Sequence, residues 1–262
     1  YMCLSHCWGK KPFIQTTKSN VASFQSGIPW NLLPRTFRDA INLAHRIGVT
    51  YIWIDSLCII QDDEDDWRKE GSQMADIYRG SFLTIAATKA FDSSQGLYTD
   101  TTCHRSVSMN YNKLSPLLSR AWVFQERILS RRLVHFASTE LWWECMESTT
   151  CECCRISGGI YSGHDKKHLN VEEEFDEASV GETWRYLVTD YSFKQLTYQK
   201  DILPAIQGLA KRMYTTRRSE YLGGLWRDSL IKDLVWRRMM VGWYVDKVHP
   251  VNEFAPTWSW AA

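Results

Sequence analysis

Glu70 is a carboxylate at a position where helical periodicity asks for a hydrophobe. A helix is expected over residues 66–78. Projected at about 100° per residue, it gathers Trp67, Met74, Ile77 and Tyr78 into one arc, and Glu70 falls between Ile77 and Met74. An acid on a buried stripe is costly unless it is paired or used. Pairing would make it one half of a structural ion pair, with Arg35, Arg120 or Arg127 as partner. Use would make it the centre of a functional site. Its position favours use. The continuous apolar run Tyr51-Ile52-Trp53-Ile54 reads as a strand buried on both faces, and it ends in Asp55 and Ser56 about ten residues before this helix. Ser5, His6 and Trp8 follow the first strand, Tyr1 to Ser5, in the same way. In open parallel sheets ligands bind beyond the carboxyl ends of the strands, so these groups converge on one expected cleft. Asp55 can equally cap a helix or loop, and Trp8 or Trp67 can equally be core or a stacking face for a flat base.

Other candidate chemistry is weaker. Gln125 and Glu126, in Arg120-Ala-Trp-Val-Phe-Gln-Glu-Arg127, can face a ligand, although solvated helix charges are the plainer reading. Cys145 with Cys151-x-Cys153-Cys154 and His164 or His168 offers zinc-type donors. The spacing is not a paired C-x-x-C, which needs two such motifs, so loop thiols and no metal are expected. A Cys58–His6 nucleophile pair is conceivable, but Leu57-Cys58-Ile59-Ile60 favours packing. Glycine-rich dinucleotide, P-loop and H-E-x-x-H motifs are absent.

Strands and helices must alternate to position these groups. A helix is expected from Pro34 to a cap at Gly48, with Phe37, Ala40, Ile41, Ala44 and Ile47 on its apolar face. Asp66 is the expected N-cap of the helix that carries Glu70. A strand over Phe82–Ala87 follows, then a polar excursion over 92–119, a short helix to about Ser130, and strands over Leu133–Ala137 and Leu141–Glu144. This order predicts a doubly wound α/β fold, a mostly parallel sheet flanked by helices. The expected organisation is an α/β domain over 1–150, a mobile loop over 151–182, and a helical, Trp-rich region over 183–262 that packs on the first domain. In that last region Trp184, Leu187, Val188 and Tyr191 form one apolar face, and Ile202, Ala205, Ile206 and Leu209 another.

The 31 basic and 30 acidic residues leave a net charge of +1, which gives no global field for nucleic acid or an anionic membrane. No apolar run reaches the roughly 18 residues that span a bilayer. Eight cysteines in 262 residues are too sparse for a disulfide scaffold, so a cytosolic location is expected. The chain opens inside a strand and reads as a fragment.

These residues together resemble the fungal HET, or heterokaryon-incompatibility, family. The matching blocks are Tyr1-x-x-Leu-Ser-x-x-Trp-Gly9, Leu33-Pro-x-Thr-Phe-Arg-Asp-Ala40, Tyr51 through Trp-Ile-Asp-Ser-Leu-Cys-Ile-Ile-Gln-Asp62 to Asp66-Trp67-x-x-Glu70, Arg120-x-Trp-x-x-Gln-Glu-Arg127 and Ala255-Pro-x-Trp-Ser-Trp260. The resemblance implies a role in triggering cell death when genetically different fungal cells fuse. The HET domain is in turn remotely similar to TIR domains, which have a flavodoxin-like strand order. Some of these hydrolyse NAD with a glutamate in a Trp-x-x-Glu motif, the form of Trp67-Arg68-Lys69-Glu70. Leu4-Ser5-His6-Cys7-Trp8-Gly9 is similar to their first strand and loop. The resemblance thus implies NAD as substrate with no further cofactor and Glu70 as the catalytic group. Ser5, His6, Trp8, Gly9, Asp55, Ser56 and Trp67 would shape the cleft, supported by Arg120, Gln125 and Glu126. Nicotinamide leaves without needing a proton, so one carboxylate suffices where glycosidases use two. The implied partner is a second copy of the chain or another incompatibility protein. A non-catalytic, self-assembling signalling module and a nucleotide sensor are the alternatives.

Overall fold

Strand β1 (Met2–Ser5) is the middle of a parallel array: it pairs with β2 (Ile52–Ile54) on one side and β3 (Thr84–Ala86) on the other. Strand β4 (Arg132–Phe136) continues the sheet in parallel beside β3. Strands β5 (Leu141–Cys145) and β6 (Thr149–Cys151) close it antiparallel, in the order β2-β1-β3-β4-β5-β6. This is the expected α/β architecture, and the order β2-β1-β3-β4 is that of flavodoxin-like sheets. Its switch point lies between β1 and β3. The computed structural model describes residues 1–99, 115–153, 177–237 and 253–262.

Side-chain alternation on β1 explains the layers. Met2 and Leu4 point to one face, where they pack with Phe37, Ala40 and Ala44 of α2 (Arg35–Ile47). Cys3 points to the other face, against Met74 and Tyr78 of α4 (Glu64–Gly80) and half-buried Trp53 and Trp122. Helix α2 starts after Pro34 and ends at Gly48, whose left-handed φ of 81° suits glycine. Its last apolar residue, Ile47, is exposed. The short α1 (Val21–Ser26) and α3 (Asp55–Cys58) lie in the connections.

Two expectations need correction here. The run 51–54 is not buried on both faces: β2 is an edge strand, Tyr51 is exposed and only Ile54 is fully covered. The cap of α4 is Asp63 rather than Asp66. The Asp63 carboxylate accepts from the Asp65 and Asp66 amides, whereas the Asp66 side chain turns back to accept the Ile60 N–H at 2.8 Å. A run of acids offers several candidate caps, and only Asp63 combines extended backbone with amides in reach.

The chain divides into two compact units, Tyr1–Asn170 and Val171–Ala262. In the stretch expected as a loop over 151–182, Cys151 ends β6 and α6 (Glu177–Ser192) begins at Glu177; residues 154–176 lie outside the described residues. In the second unit α6 buries Trp184, Leu187 and Tyr191, and α7 (Pro204–Arg217) buries Ala205, Ile206 and Leu209. A two-stranded hairpin, β7 (Tyr221–Leu222) and β8 (Leu225–Trp226), turns through Gly223 and Gly224. The Gly224 carbonyl accepts the indole N–H of both Trp184 and Trp260, at 2.9 Å each. A side chain at Gly224 would collide with the Trp260 ring. The short α8 (Leu230–Asp233) follows. Among the described residues no helix is long and apolar enough to cross a membrane.

Candidate functional site

The carboxyl ends of β1 and β2 deliver Ser5, His6 and Trp8 beside Asp55 and Ser56. Asp55 opens α3 and holds two donors: the Ser56 amide on Oδ1 at 2.7 Å and the Trp8 indole on Oδ2 at 2.8 Å. It is therefore both a local cap and the anchor of Trp8. The His6 ring is buried, with Nδ1 3.7 Å from Asp55 and edge-to-face contacts to Phe37 and Phe13. Burial, with Arg120 nearby, pushes the His6 pKa down despite the attraction of Asp55. His6 is therefore a neutral imidazole at neutral pH. Among the described residues neither of its ring nitrogens nor the buried Ser56 hydroxyl has a hydrogen-bond partner, so no Cys58–His6 pair forms. Cys58 is exposed on α3, not packed as its apolar neighbours suggest. Gly9, at φ 73°, passes so close to Asp92 that a Cβ there would lie 2.4 Å from the Asp92 Cβ, which makes its glycine a steric requirement of this loop.

Behind the strand edge lies an acid that sequence reading places in solvent. Helix α5 (Ala121–Leu129) is buried on nearly all sides, and Gln125, Glu126 and Arg127 are buried with it. Solvated helix charges are thus overturned as the account of this segment. An apolar residue on every face of the helix was the signal available. Glu126 Oε2 accepts the Ser5 hydroxyl at 2.6 Å, and the Tyr78 hydroxyl interacts with the same carboxylate while donating to the Leu4 carbonyl at 3.3 Å. Arg120 donates to the His6 carbonyl at 3.4 Å.

Burial is the largest cause raising the Glu126 pKa to about 7, from an ordinary 4.5. Because the folded state holds this proton more tightly than the unfolded chain, its contribution to stability is complete below about pH 4.5 and is lost as pH rises to about 7. The loss is on the order of 3 kcal/mol. Glu126→Gln is expected to flatten that slope, so that urea midpoints of wild type and variant converge at low pH and the variant is the more stable at pH 8. Parallel curves would show that Glu126 is not the titrating group.

Glu70 is half-buried, with 19% of its side chain exposed, and its ion pair is with the neighbouring Lys69 at 3.1 Å. None of the three arginines considered for it is its ion-pair partner. Arg127 is taken by Glu144, Arg35 lies 4.0 Å from Asp39, and Arg120 reaches the His6 carbonyl. Desolvation, with the negative charges of Asp55 and Glu70 adding to it, raises the Cys58 pKa. Trp67, one turn before Glu70, meets Trp122 edge to face with centroids 6.0 Å apart, so its ring is engaged in joining α4 to α5.

A second buried array was not visible in the sequence. Arg127 makes two hydrogen bonds to Glu144, at 2.9 and 2.6 Å. His135 Nε2 lies 3.2 Å from the same carboxylate, and His135 Nδ1 lies 2.9 Å from the Thr88 hydroxyl. This network ties α5 to β4, β5 and the residues after β3. One cleft, lined by Tyr1, Tyr51, Ile52, Trp53 and Ile77, lies at the amino ends of the strands, and a polar one around Arg217 and Asp228 belongs to the second unit. Neither includes the strand-edge groups.

The parallel sheet with polar groups at its carboxyl edge defines a doubly wound α/β protein. Residues 1–116 match the family model described as Heterokaryon incompatibility protein (HET). The match takes in β1 to β3, hence Ser5, His6, Trp8, Asp55, Ser56, Trp67 and Glu70, and stops short of α5 with Arg120 and Glu126. This part of the chain is a HET region, and that implies a heterokaryon-incompatibility role. No curated protein and no solved structure matches the chain.

Proposed function

We propose that the chain is a cell-death effector of heterokaryon incompatibility that hydrolyses NAD, with Glu70 as its catalytic carboxylate. The observation that carries this reading is that Glu70, half-buried on α4, keeps 19% of its side chain exposed and, among the described residues, forms its ion pair with a solvent-facing lysine. In the proposed reaction the bond between ribose C1′ and the pyridinium nitrogen breaks, and its electron pair leaves with nicotinamide as a neutral base. Water adds to C1′, its proton passes to solvent, and the Glu70 carboxylate stabilises the developing oxocarbenium charge. Asp55 and the Trp8 it holds would shape the nucleotide cleft, with Ser5, His6, Gly9, Ser56 and Trp67 as its frame and Arg120, Gln125 and Glu126 supporting from behind.

The burial of Ser5, His6 and Glu126, with Ser5 and Glu126 bonded to each other, favours a second reading: a non-catalytic module that assembles with itself or with another incompatibility protein. The two separate in one measurement, release of nicotinamide from NAD by the purified, folded chain across a range of protein concentrations. Turnover supports the hydrolase. Concentration-dependent assembly without turnover, at concentrations where the chain is fully oligomeric, would replace it with the second reading.

A further inference from the structure

We infer that the β5–β6 hairpin carries a zinc site built from Cys151, Cys153 and Glu140, separate from the strand-edge site and independent of its proposed reaction. Cys151 ends β6 and Cys153 lies in the turn just beyond it, and this turn brings their sulfurs together, 3.1 Å apart. Glu140 stands immediately before β5, and the antiparallel register, Trp142 opposite Cys151, brings it to the same end of the hairpin. Its Oε2 accepts the Cys153 amide at 3.2 Å, and one donor atom from each of the three residues lies within 4.8 Å of the others.

A tetrahedral zinc ion with Zn–S of about 2.3 Å holds its sulfurs about 3.8 Å apart, within reach of small side-chain rotations from the observed geometry. Cys151 is buried against Ala137 and Trp142, while Glu140 and Cys153 are half-buried, so the site has an apolar floor and an open side. The third donor argues for a cation over a simple dithiol pair. A divalent cation that displaces the thiol protons would be held by two sulfurs and a carboxylate oxygen at once, which a dithiol pair alone does not offer. The mixed sulfur and oxygen set suits zinc over the softer Cu(I), which favours sulfur alone. Three protein ligands leave the fourth tetrahedral position for water or another donor. Cys145 does not belong to the set. It lies at the turn end of the hairpin, where its amide bonds the Ser148 carbonyl, about 10 Å along the strand from the residue facing Cys151.

The test uses the whole chain, reduced and freed of metal, titrated with Zn²⁺ and with Co²⁺. One metal should bind per chain, with release of protons from the thiols, and the Co²⁺ form should show thiolate-to-metal charge-transfer absorption of two sulfurs. Cys151→Ser and Cys153→Ser should each weaken binding at least about a hundredfold and Glu140→Gln about tenfold, while Cys145→Ser should leave it unchanged. The wild-type Co²⁺ spectrum stands even if a serine variant fails to fold. No stoichiometric binding, a Co²⁺ spectrum without sulfur ligation, undiminished binding in the folded Cys151→Ser/Cys153→Ser double variant, or a Cys151–Cys153 disulfide that excludes the metal would each overturn the site.

Discussion

Glu70→Gln is expected to lower nicotinamide release from NAD by about 10²–10³-fold while leaving the fold intact. That loss corresponds to about 3–4 kcal/mol of transition-state stabilisation, a reasonable size for a carboxylate facing a developing cation. It should fall on kcat more than on KM, because glutamine keeps the shape of the side chain and loses only the charge that matters as the C–N bond breaks. Among the described residues Glu70 has its ion pair with Lys69, whose side chain is solvent-facing, so unfolding free energy should move by no more than about 0.5 kcal/mol. Undiminished turnover would remove Glu70 from the reaction. A loss of stability of several kcal/mol would show instead that the side chain is structural, and any fall in activity would then follow from the fold.

Glu144→Ala is expected to destabilise the chain by about 3–5 kcal/mol, the largest effect of a single surface-remote substitution here. The alanine leaves the Arg127 guanidinium buried without its carboxylate and takes from His135 the partner on its Nε2 side. Only 1% of the Glu144 side chain and 5% of that of Arg127 is exposed, so water cannot replace the missing charge without opening the core. Paired replacement by apolar groups of similar volume, Arg127→Met with Glu144→Leu, should cost less than Glu144→Ala alone, since no unpaired charge remains. Urea unfolding of the three proteins measures both statements. A cost below about 1 kcal/mol for Glu144→Ala would show that the network adds little to stability.

What could be read in the sequence depended on whether the signal was local. Helix α2 was legible because Pro34, the apolar spacing and Gly48 all lie within the segment they specify. The alternation of strands and helices likewise announced the parallel sheet and the strand ends that carry Asp55 and Ser5. The edge position of β2 was not legible, because an apolar run looks the same at an edge as in a centre, and only the strand order decides. The Asp63 cap was obscured by the acids beside it. Glu126 and the Arg127–Glu144–His135–Thr88 array were hidden for another reason: Ser5 and Glu126 are 121 residues apart, and no periodicity links them. Strand β6 was missed because Thr149–Cys151 is too short to alternate visibly.

The central place of β1 has a further consequence, for how the protein reaches its native state. Met2 meets Ile52 and Cys3 meets Thr84, so the first strand gains its neighbours only by closing loops of about 50 and 80 residues. Parallel pairings this remote put folding on the slow side of the range for domains of mixed structure. Until they form, the apolar side of β1 stays uncovered and open to association between chains. The same ordering applies to the strand edge. Ser5, Asp55 and Glu126 approach one another only when the sheet is complete and α5 has docked, so this cluster cannot exist in a partly folded chain. A ligand held there would bind the native state alone and would stabilise the whole unit by mass action, by about 2.7 kcal/mol at a hundredfold excess over its Kd.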